Sequence, residues 1–152
     1  MTAPHYDFII IGTGPAGLAA AMTAAKAGKK TLVLEKEGSL GGVCVNTGTF
    51  PSKTLREAVL LLTGHLKRKV FADESCVAQD AEISMEKLKQ RLYNVRIEEQ
   101  SIITCQLERN GVQLIRGSAR FTDDHTIMVK SLAENREIEA KGDRIIIATG
   151  SS

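Results

Sequence analysis

The sequence predicts an α/β fold with a central parallel sheet, a small antiparallel β-meander and a long helical insertion. Three observations predict it. The chain opens with an apolar segment, a glycine turn and an alanine-rich segment. Segments of alternating polarity lie within residues 112–140. A long amphipathic pattern lies between the opening segments and the alternating segments. The chain has 152 residues, which is the usual size of one domain. We therefore expect residues 1–152 to form one unit.

The first elements form a strand, a helix and a second strand. Residues 6–11 are β-branched and nearly all apolar, which is typical of a strand buried on both faces of a parallel sheet. After the glycine turn, alanine-rich residues 18–27 predict a helix that stops at Gly28. Residues 31–34 predict the next strand, with Glu35 at its end. This order predicts a right-handed parallel crossover.

The middle of the chain predicts a loop and two helices. Residues 38–48 are glycine-rich and predict a loop, and Pro51 opens a helix over about residues 51–66. Polar residues 67–81 predict a surface connection. A long amphipathic helix follows and ends at Asn110-Gly111. Its apolar stripe predicts core packing or a coiled-coil-like seam rather than a ligand face: Ile83, Met85, Leu88, Leu92, Val95, Ile102 and Leu107.

The last part of the chain changes from helical to alternating periodicity. Short strands of an antiparallel meander are predicted at residues 112–116, with a continuation or bend at 117–121, and at 126–129 and 137–140. Residues 123–125 and 134–135 supply the turns. Residues 144–148 return to a continuous apolar pattern, which predicts a further strand of the central parallel sheet.

Composition excludes several classes of function. The 20 Lys and Arg against 18 Asp and Glu leave a net charge of +2, too small to indicate a nucleic-acid or membrane-surface partner. Aromatic residues make up only 4%, which also argues against a surface that stacks on bases. No stretch approaches the roughly 18 apolar residues that span a bilayer. The first four residues lack the basic segment of a signal peptide, so we expect a cytoplasmic protein.

The cysteines and histidines indicate neither a disulfide framework nor a metal site. The cysteines are odd in number and lack metal-type spacing, and the histidines are scattered. No metal is therefore expected, and a reducing compartment is favoured. The residues concerned are Cys44, Cys76, Cys105, His5, His65 and His125.

The glycine turn carries the first functional signal. Gly12, Gly14 and Gly17 form a GxGxxG pattern between a predicted strand and a predicted helix, and Glu35 follows at the end of the next strand. The glycines permit a tight turn, backbone approach to a pyrophosphate and close helix packing, while the helix N-terminus attracts the anion. Glu35 can accept hydrogen bonds from both ribose hydroxyls. A Rossmann-like dinucleotide site is thus favoured over a structural loop, with these binding residues: Gly12, Gly14, Pro15, Ala16, Gly17, Glu35 and Lys36.

Three further segments resemble one enzyme family. The run from Gly41 to Lys53 closely resembles the flavin-side signature of the pyridine nucleotide-disulfide oxidoreductases, whose two cysteines form a redox disulfide beside the flavin. Residues 148–151 resemble that family's second glycine fingerprint, and residues 117–121 resemble its adenine-contacting segment. The resemblance implies an FAD-binding domain. It adds these cofactor-binding residues: Gly41, Gly42, Val43, Cys44, Thr49, Lys53, Ser118, Ala119, Ala148, Thr149 and Gly150.

One departure from the family pattern bears on the reaction. Cys44 matches the first cysteine, but Thr49 stands at the position of the second, and a threonine cannot form a disulfide. The pattern Gly48 to Lys53 resembles that of the soluble, flavin-dependent pyridine nucleotide transhydrogenases. That resemblance implies hydride transfer from NADPH through FAD to NAD⁺, with Lys53 as a catalytic residue beside flavin N5. Cys44 is a second catalytic candidate. The alternative for Cys44 is a thiol that only packs in the fold. The alternative for Lys53 is a lysine that is simply exposed to solvent.

Against that family the chain is expected to be the N-terminal portion, truncated before the NAD(P)H-binding and dimerisation domains. The fragment itself is then expected to be inactive, and the complete enzyme to be a homodimer or larger homo-oligomer. Two alternatives stay open: a non-catalytic module that binds FAD or ADP, and a flavoprotein similar to dihydrolipoamide dehydrogenase or mercuric reductase. A reading frame that continues past Ser152 would argue against the binding module. The missing second cysteine argues against the reductase-like flavoprotein.

Overall fold

The computed structural model describes residues 3–62, 84–132 and 136–151. Within these ranges the strands are β1 His5–Ile11, β2 Thr31–Glu35, β3 Gln113–Asp123, β4 Thr126–Ser131 and β5 Glu137–Ile147. The helices are α1 Pro15–Lys26, α2 Gly42–Asn46, α3 Thr49–Leu62 and α4 Met85–Arg109. The predicted helix end near residue 66, the connection at 67–81 and the turn at 134–135 lie outside the described residues.

The five strands pair in a closed cycle in chain order. β1 lies between β2 and β5 and is parallel to both, and β2 is parallel to the start of β3. β4 pairs antiparallel with the second half of β3 and the first half of β5. Parallel sheet and meander, both predicted, are therefore parts of one sheet.

β5 corrects the prediction of two separate strands at 137–140 and 144–148. Its first half pairs with β4 up to Lys141, which also pairs with His5, and the strand then continues along β1. Gly142, at this changeover, is buried, and a Cβ there would lie 2.8 Å from Ile9 Cγ1. Polar neighbours and a glycine imitate a turn in the sequence, although the glycine is needed for close packing.

The helices depart from the predicted bounds at their N-termini. α1 begins at Pro15 rather than residue 18, because the fixed φ of proline suits the first position of a helix. The predicted loop at 38–48 contains the short helix α2, and α3 begins at Thr49 rather than Pro51. Pro51 thus lies within the first helical turn, where backbone N–H groups have no partner in the helix.

Two buried clusters form the core on opposite faces of the sheet. The first packs α1, α2 and the end of α4 against alternate strand residues such as Ile10 and Val33, and the second fills the space inside the cycle around Ile9 and Leu32. On α4, Leu107 is buried as predicted, but Met85 and Ile102 of the predicted stripe are exposed. Only the C-terminal part of α4 thus contributes to this core.

Candidate functional site

The glycine turn follows directly from β1. Gly12 has a φ of 110° and donates its N–H to the Leu34 carbonyl oxygen at 2.8 Å, which joins the turn to β2. A Cβ on Gly12 would overlap the carbonyl oxygen of Ala148, and one on Gly17 would overlap the carbonyl oxygen of Gly12. Both glycines are therefore required by the chain's own packing.

Gly14 differs from its two neighbours in the motif. It caps the N-terminus of α1 with a φ of −63°, which any residue adopts, and nothing lies within 4 Å of the position of a Cβ. The fold therefore does not require a glycine here. Its backbone is open beside the first turn of α1, whose free N–H groups and positive dipole end form an anion-binding arrangement.

Glu35 lies at the end of β2 and reaches the turn. Its side chain is buried, and Oε2 accepts hydrogen bonds from the Thr13 N–H at 3.1 Å and from the Thr13 hydroxyl. The other oxygen, Oε1, accepts from the N–H of Glu37 at 2.9 Å. Lys36, between these two residues, is exposed. The prediction that Glu35 lies at the end of the second strand is confirmed, but the sequence gives no sign of these hydrogen-bond partners.

The loop before α2 packs against the turn. The Gly41 N–H donates to the Thr13 hydroxyl oxygen at 3.0 Å, and a Cβ on Gly42 would lie 3.0 Å from Gly14 Cα. Asn46 closes α2 by donating its amide to the carbonyl oxygens of Leu40 and Gly42, each at 2.9 Å. Thr13 and Asn46 are the residues that sequence reasoning missed. A hydroxyl inside the glycine motif was the only available signal for Thr13.

The residues of the predicted flavin side lie on α2 and α3. Cys44 is a half-buried free thiol on α2, whereas Thr49 and Lys53 are exposed on the first turns of α3, and Val43 is 56% exposed. The structure thus places Cys44 and Thr49 on two consecutive helices, α2 and α3. The lysine ammonium group is accessible to a ligand.

The remaining predicted residues fall into two groups. Ala148 donates its N–H to the Ile11 carbonyl oxygen at 2.8 Å and touches Gly12, so residues 148–150 follow β5 directly beside the turn. Ser118 and Ala119 lie on β3, two and three residues beyond Arg116, which pairs with Glu35. This segment therefore continues past the edge where β2 ends.

Other titratable groups lie outside this site. Burial raises the pKa of the Tyr6 phenol, whose hydroxyl donates to Gln113 Oε1 at 2.7 Å. Hydrogen bonds from the His125 backbone and the Thr126 side chain lower the pKa of Asp123. Among the described residues, no cluster of His, Cys, Asp and Glu could hold a metal ion. The helices in the same ranges are too short or too polar to cross a membrane.

Comparison with known proteins shows the family to which the chain belongs. The profile of the pyridine nucleotide-disulphide oxidoreductase family matches residues 6–152. The match spans nearly the whole chain, so the chain belongs to that family.

Several curated relatives share one name. The chain is 47% identical over 147 residues to a protein of Mycobacterium bovis (strain BCG / Pasteur 1173P2) named soluble pyridine nucleotide transhydrogenase, covering 97% of this chain and 31% of the relative. Proteins of that name from Photorhabdus laumondii and Vibrio vulnificus are 37% and 39% identical, covering 97% and 98% of this chain. Each is covered over 31% of its length, so the chain spans about a third of the relatives that it matches.

Proposed function

We propose that this chain binds the adenosine and pyrophosphate half of FAD at the glycine turn. The observation that carries the proposal is a contrast within the motif. Backbone atoms leave no room for a Cβ at Gly12 or Gly17, whereas the space beside Gly14 at the N-terminus of α1 is open. A glycine that the fold does not need is explained by a ligand that approaches the backbone. The residues present thus fit a dinucleotide.

Each half of the site has a separate task in this proposal. The free N–H groups of the first turn of α1 hold the pyrophosphate, and the helix dipole adds a favourable charge interaction. Glu35 accepts a hydrogen bond from the ribose, and its negative charge disfavours a ribose phosphate. Bound FAD would supply the hydride chemistry, since no side chain can carry a hydride by itself.

We infer that the complete protein transfers hydride between NADPH and NAD⁺. The names of the relatives support this activity, and so does Thr49 at the position where the family's disulfide needs a cysteine. Cys44 alone cannot pass electrons to a disulfide substrate by thiol exchange, because the reaction requires a resolving thiol. In this proposal residues 1–152 are the FAD-binding part of a longer chain, and that chain forms a cytoplasmic homo-oligomer.

Lys53 is the charged side chain that we assign to the flavin side. It stands on the first turns of α3 and is exposed, so its ammonium group is free to approach a ligand. A fixed positive charge at that place would stabilise negative charge that develops on a bound ring system. Its role is therefore electrostatic, and it moves no proton.

The test compares two reactions in the product of the complete reading frame. We expect NADPH to reduce thio-NAD⁺, and we expect no reduction of lipoamide or glutathione disulfide. Alkylation of the thiols should leave the first reaction largely intact. Disulfide reduction at a comparable rate, or loss of hydride transfer on alkylation while FAD stays bound, would overturn the proposal. A reading frame that ends at Ser152 would favour a binding module instead.

A further inference from the structure

Asn46, the last residue of α2, fixes the loop that approaches Gly14. Its side-chain NH₂ group donates to the carbonyl oxygens of Leu40 and Gly42, each at 2.9 Å. The backbone between these carbonyls turns sharply, because Gly41 and Gly42 have φ angles of 92° and 56°, which glycine adopts more readily than other residues. One side-chain amide therefore holds both sides of this glycine turn.

The orientation of that amide is fixed from another part of the chain. A backbone carbonyl oxygen only accepts hydrogen bonds, so the NH₂ group of Asn46 must face the loop and its Oδ1 must face away. Oδ1 accepts from the Nε2 group of Gln100 on α4 at 3.0 Å, across 54 positions of sequence. Both residues are half-buried. The bond thus requires a donor on α4, and a glutamate carboxylate of nearly the same shape would not supply one.

We propose that Gln100 is a positioning residue of the nucleotide site, which acts through Asn46 on the loop before α2. This loop borders the open space beside Gly14, since a Cβ on Gly42 would lie 3.0 Å from Gly14 Cα. A loop released from Asn46 no longer keeps this place beside the proposed pyrophosphate position. The inference rests on the proposed function and extends it to α4, the helix whose apolar stripe predicts packing and not ligand binding.

Two substitutions of Gln100 separate the orientation of the amide from the loss of one contact. In Gln100→Met the Asn46 oxygen loses its donor, but the NH₂ group still faces the loop. In Gln100→Glu a carboxylate meets Oδ1 and favours an Asn46 amide that is turned over, with its oxygen against the two loop carbonyls. The matched control is Gln90→Glu, because Gln90 Nε2 makes the same kind of bond to Asn94 Oδ1, at 2.9 Å, on the exposed side of α4.

The experiment titrates ADP and AMP by calorimetry into the product of the complete reading frame, freed of bound nucleotide, as wild type and as these three variants. We expect Gln100→Glu to bind ADP about tenfold more weakly and AMP within about twofold of the wild type, because the displaced loop borders the proposed pyrophosphate position. Gln100→Met should weaken ADP by only about threefold, since one hydrogen bond is lost and none is reversed. Gln90→Glu should bind both nucleotides like the wild type.

Amide hydrogen exchange at Gly41 gives a second measurement that needs no ligand. The Gly41 N–H donates to the Thr13 hydroxyl oxygen at 3.0 Å, so a released loop should exchange faster. We expect faster exchange in Gln100→Glu, a smaller increase in Gln100→Met and no change in Gln90→Glu. If Gln100→Glu does not fold, the comparison of Gln100→Met with Gln90→Glu decides the question.

Three results would overturn the inference. Equal losses of ADP affinity in Gln100→Met and Gln100→Glu would mean that the orientation of the Asn46 amide has no part in binding. Equal weakening of ADP and AMP by Gln100→Glu would indicate a general defect of the fold. Unchanged exchange at Gly41 in both Gln100 variants would mean that the loop is not held from α4. A wild type that binds neither nucleotide would instead overturn the proposed function, and exchange at Gly41 would still test the role of Gln100.

Discussion

Two regions of the candidate site are built in different ways. In the glycine-turn region, residues 12–17 and 35–42, close backbone approach fixes Gly12 and Gly17, and buried hydrogen bonds join Thr13 to Glu35 and Gly41. In the α2–α3 region, residues 43–53, two side chains predicted to line the flavin side, Thr49 and Lys53, are exposed. The first region is shaped by the folding of this chain. The second offers side chains whose chemistry depends on what binds beside them.

The difference separates residues kept for folding from residues kept for binding. Gly12 and Gly17 belong to one motif with Gly14, yet the first two are required by contacts within the chain. Glu35 has both roles, because its carboxylate also accepts hydrogen bonds from two backbone N–H groups of the chain itself. A change in the glycine-turn region therefore tests binding only if the stability of the fold is measured with it.

The largest expected effect is on folding, at Gly17. A Cβ there would overlap the Gly12 carbonyl oxygen, so we expect Gly17→Ala to reduce the free energy of unfolding by about 3 kcal/mol, the upper end for overpacking. Urea denaturation measures it. Gly38→Ala is the control, since Gly38 has open space and no positive φ, and it should change stability by less than about 0.5 kcal/mol. Equal stability of the two variants would contradict the packing argument.

Glu35→Gln should weaken both folding and binding. An amide has one oxygen, so its NH₂ group must face either the Thr13 N–H or the Glu37 N–H, and one of these two donors is left without its acceptor. We expect a loss of about 1–3 kcal/mol in unfolding free energy, with weaker retention of ADP. Glu37→Gln, on an exposed side chain, is the matched control. A variant as stable as wild type with unchanged ADP affinity would remove Glu35 from the site.

In the α2–α3 region the same kind of change should separate activity from stability. In the product of the complete reading frame, whose proposed activity is hydride transfer, we expect Lys53→Met to slow that reaction at least about tenfold, because a fixed positive charge is lost. Unfolding free energy should change by less than about 0.5 kcal/mol, since Lys53 is exposed. Steady-state rates and urea curves give the two values. Arg56→Met, at the next turn of α3, is the control, and the assignment fails if both variants lose the same activity.

The smallest effect lies outside both regions, at the β3–β4 turn. Hydrogen bonds from His125 and Thr126 lower the pKa of Asp123 below its ordinary value of 3.8. A lowered pKa means that the charged form stabilises the fold above pH 3.8, and this contribution is lost as the pH falls through the folded pKa. Asp123→Asn should therefore lower the melting temperature slightly at pH 6, and the difference should shrink toward pH 3. A difference that is independent of pH would contradict the cause.

The sequence predicted the elements whose patterns are local. The apolar run of β1 and the helix stops at Gly28 and Gly111 were located from neighbouring residues, and both glycines have positive φ. The continuity of β5 was missed, because the need for Gly142 against Ile9 is a contact between distant residues. Thr13 was missed for the same reason: its partners Glu35 and Gly41 are 22 and 28 positions away.

The central claim is that the site needs a glycine at position 14 for ligand binding, whereas the fold does not need one there. One calorimetric comparison tests this claim most directly. ADP and FAD are titrated into the wild-type protein, Gly14→Val and Gly38→Val, with melting temperatures recorded alongside. We expect Gly14→Val to lose at least about 100-fold in affinity, because branched carbon replaces the backbone approach to the pyrophosphate. Its stability should fall by no more than about 1 kcal/mol, the usual cost of changing an N-cap residue. Gly38→Val should bind like the wild type. Equal affinities for wild type and Gly14→Val would contradict the account.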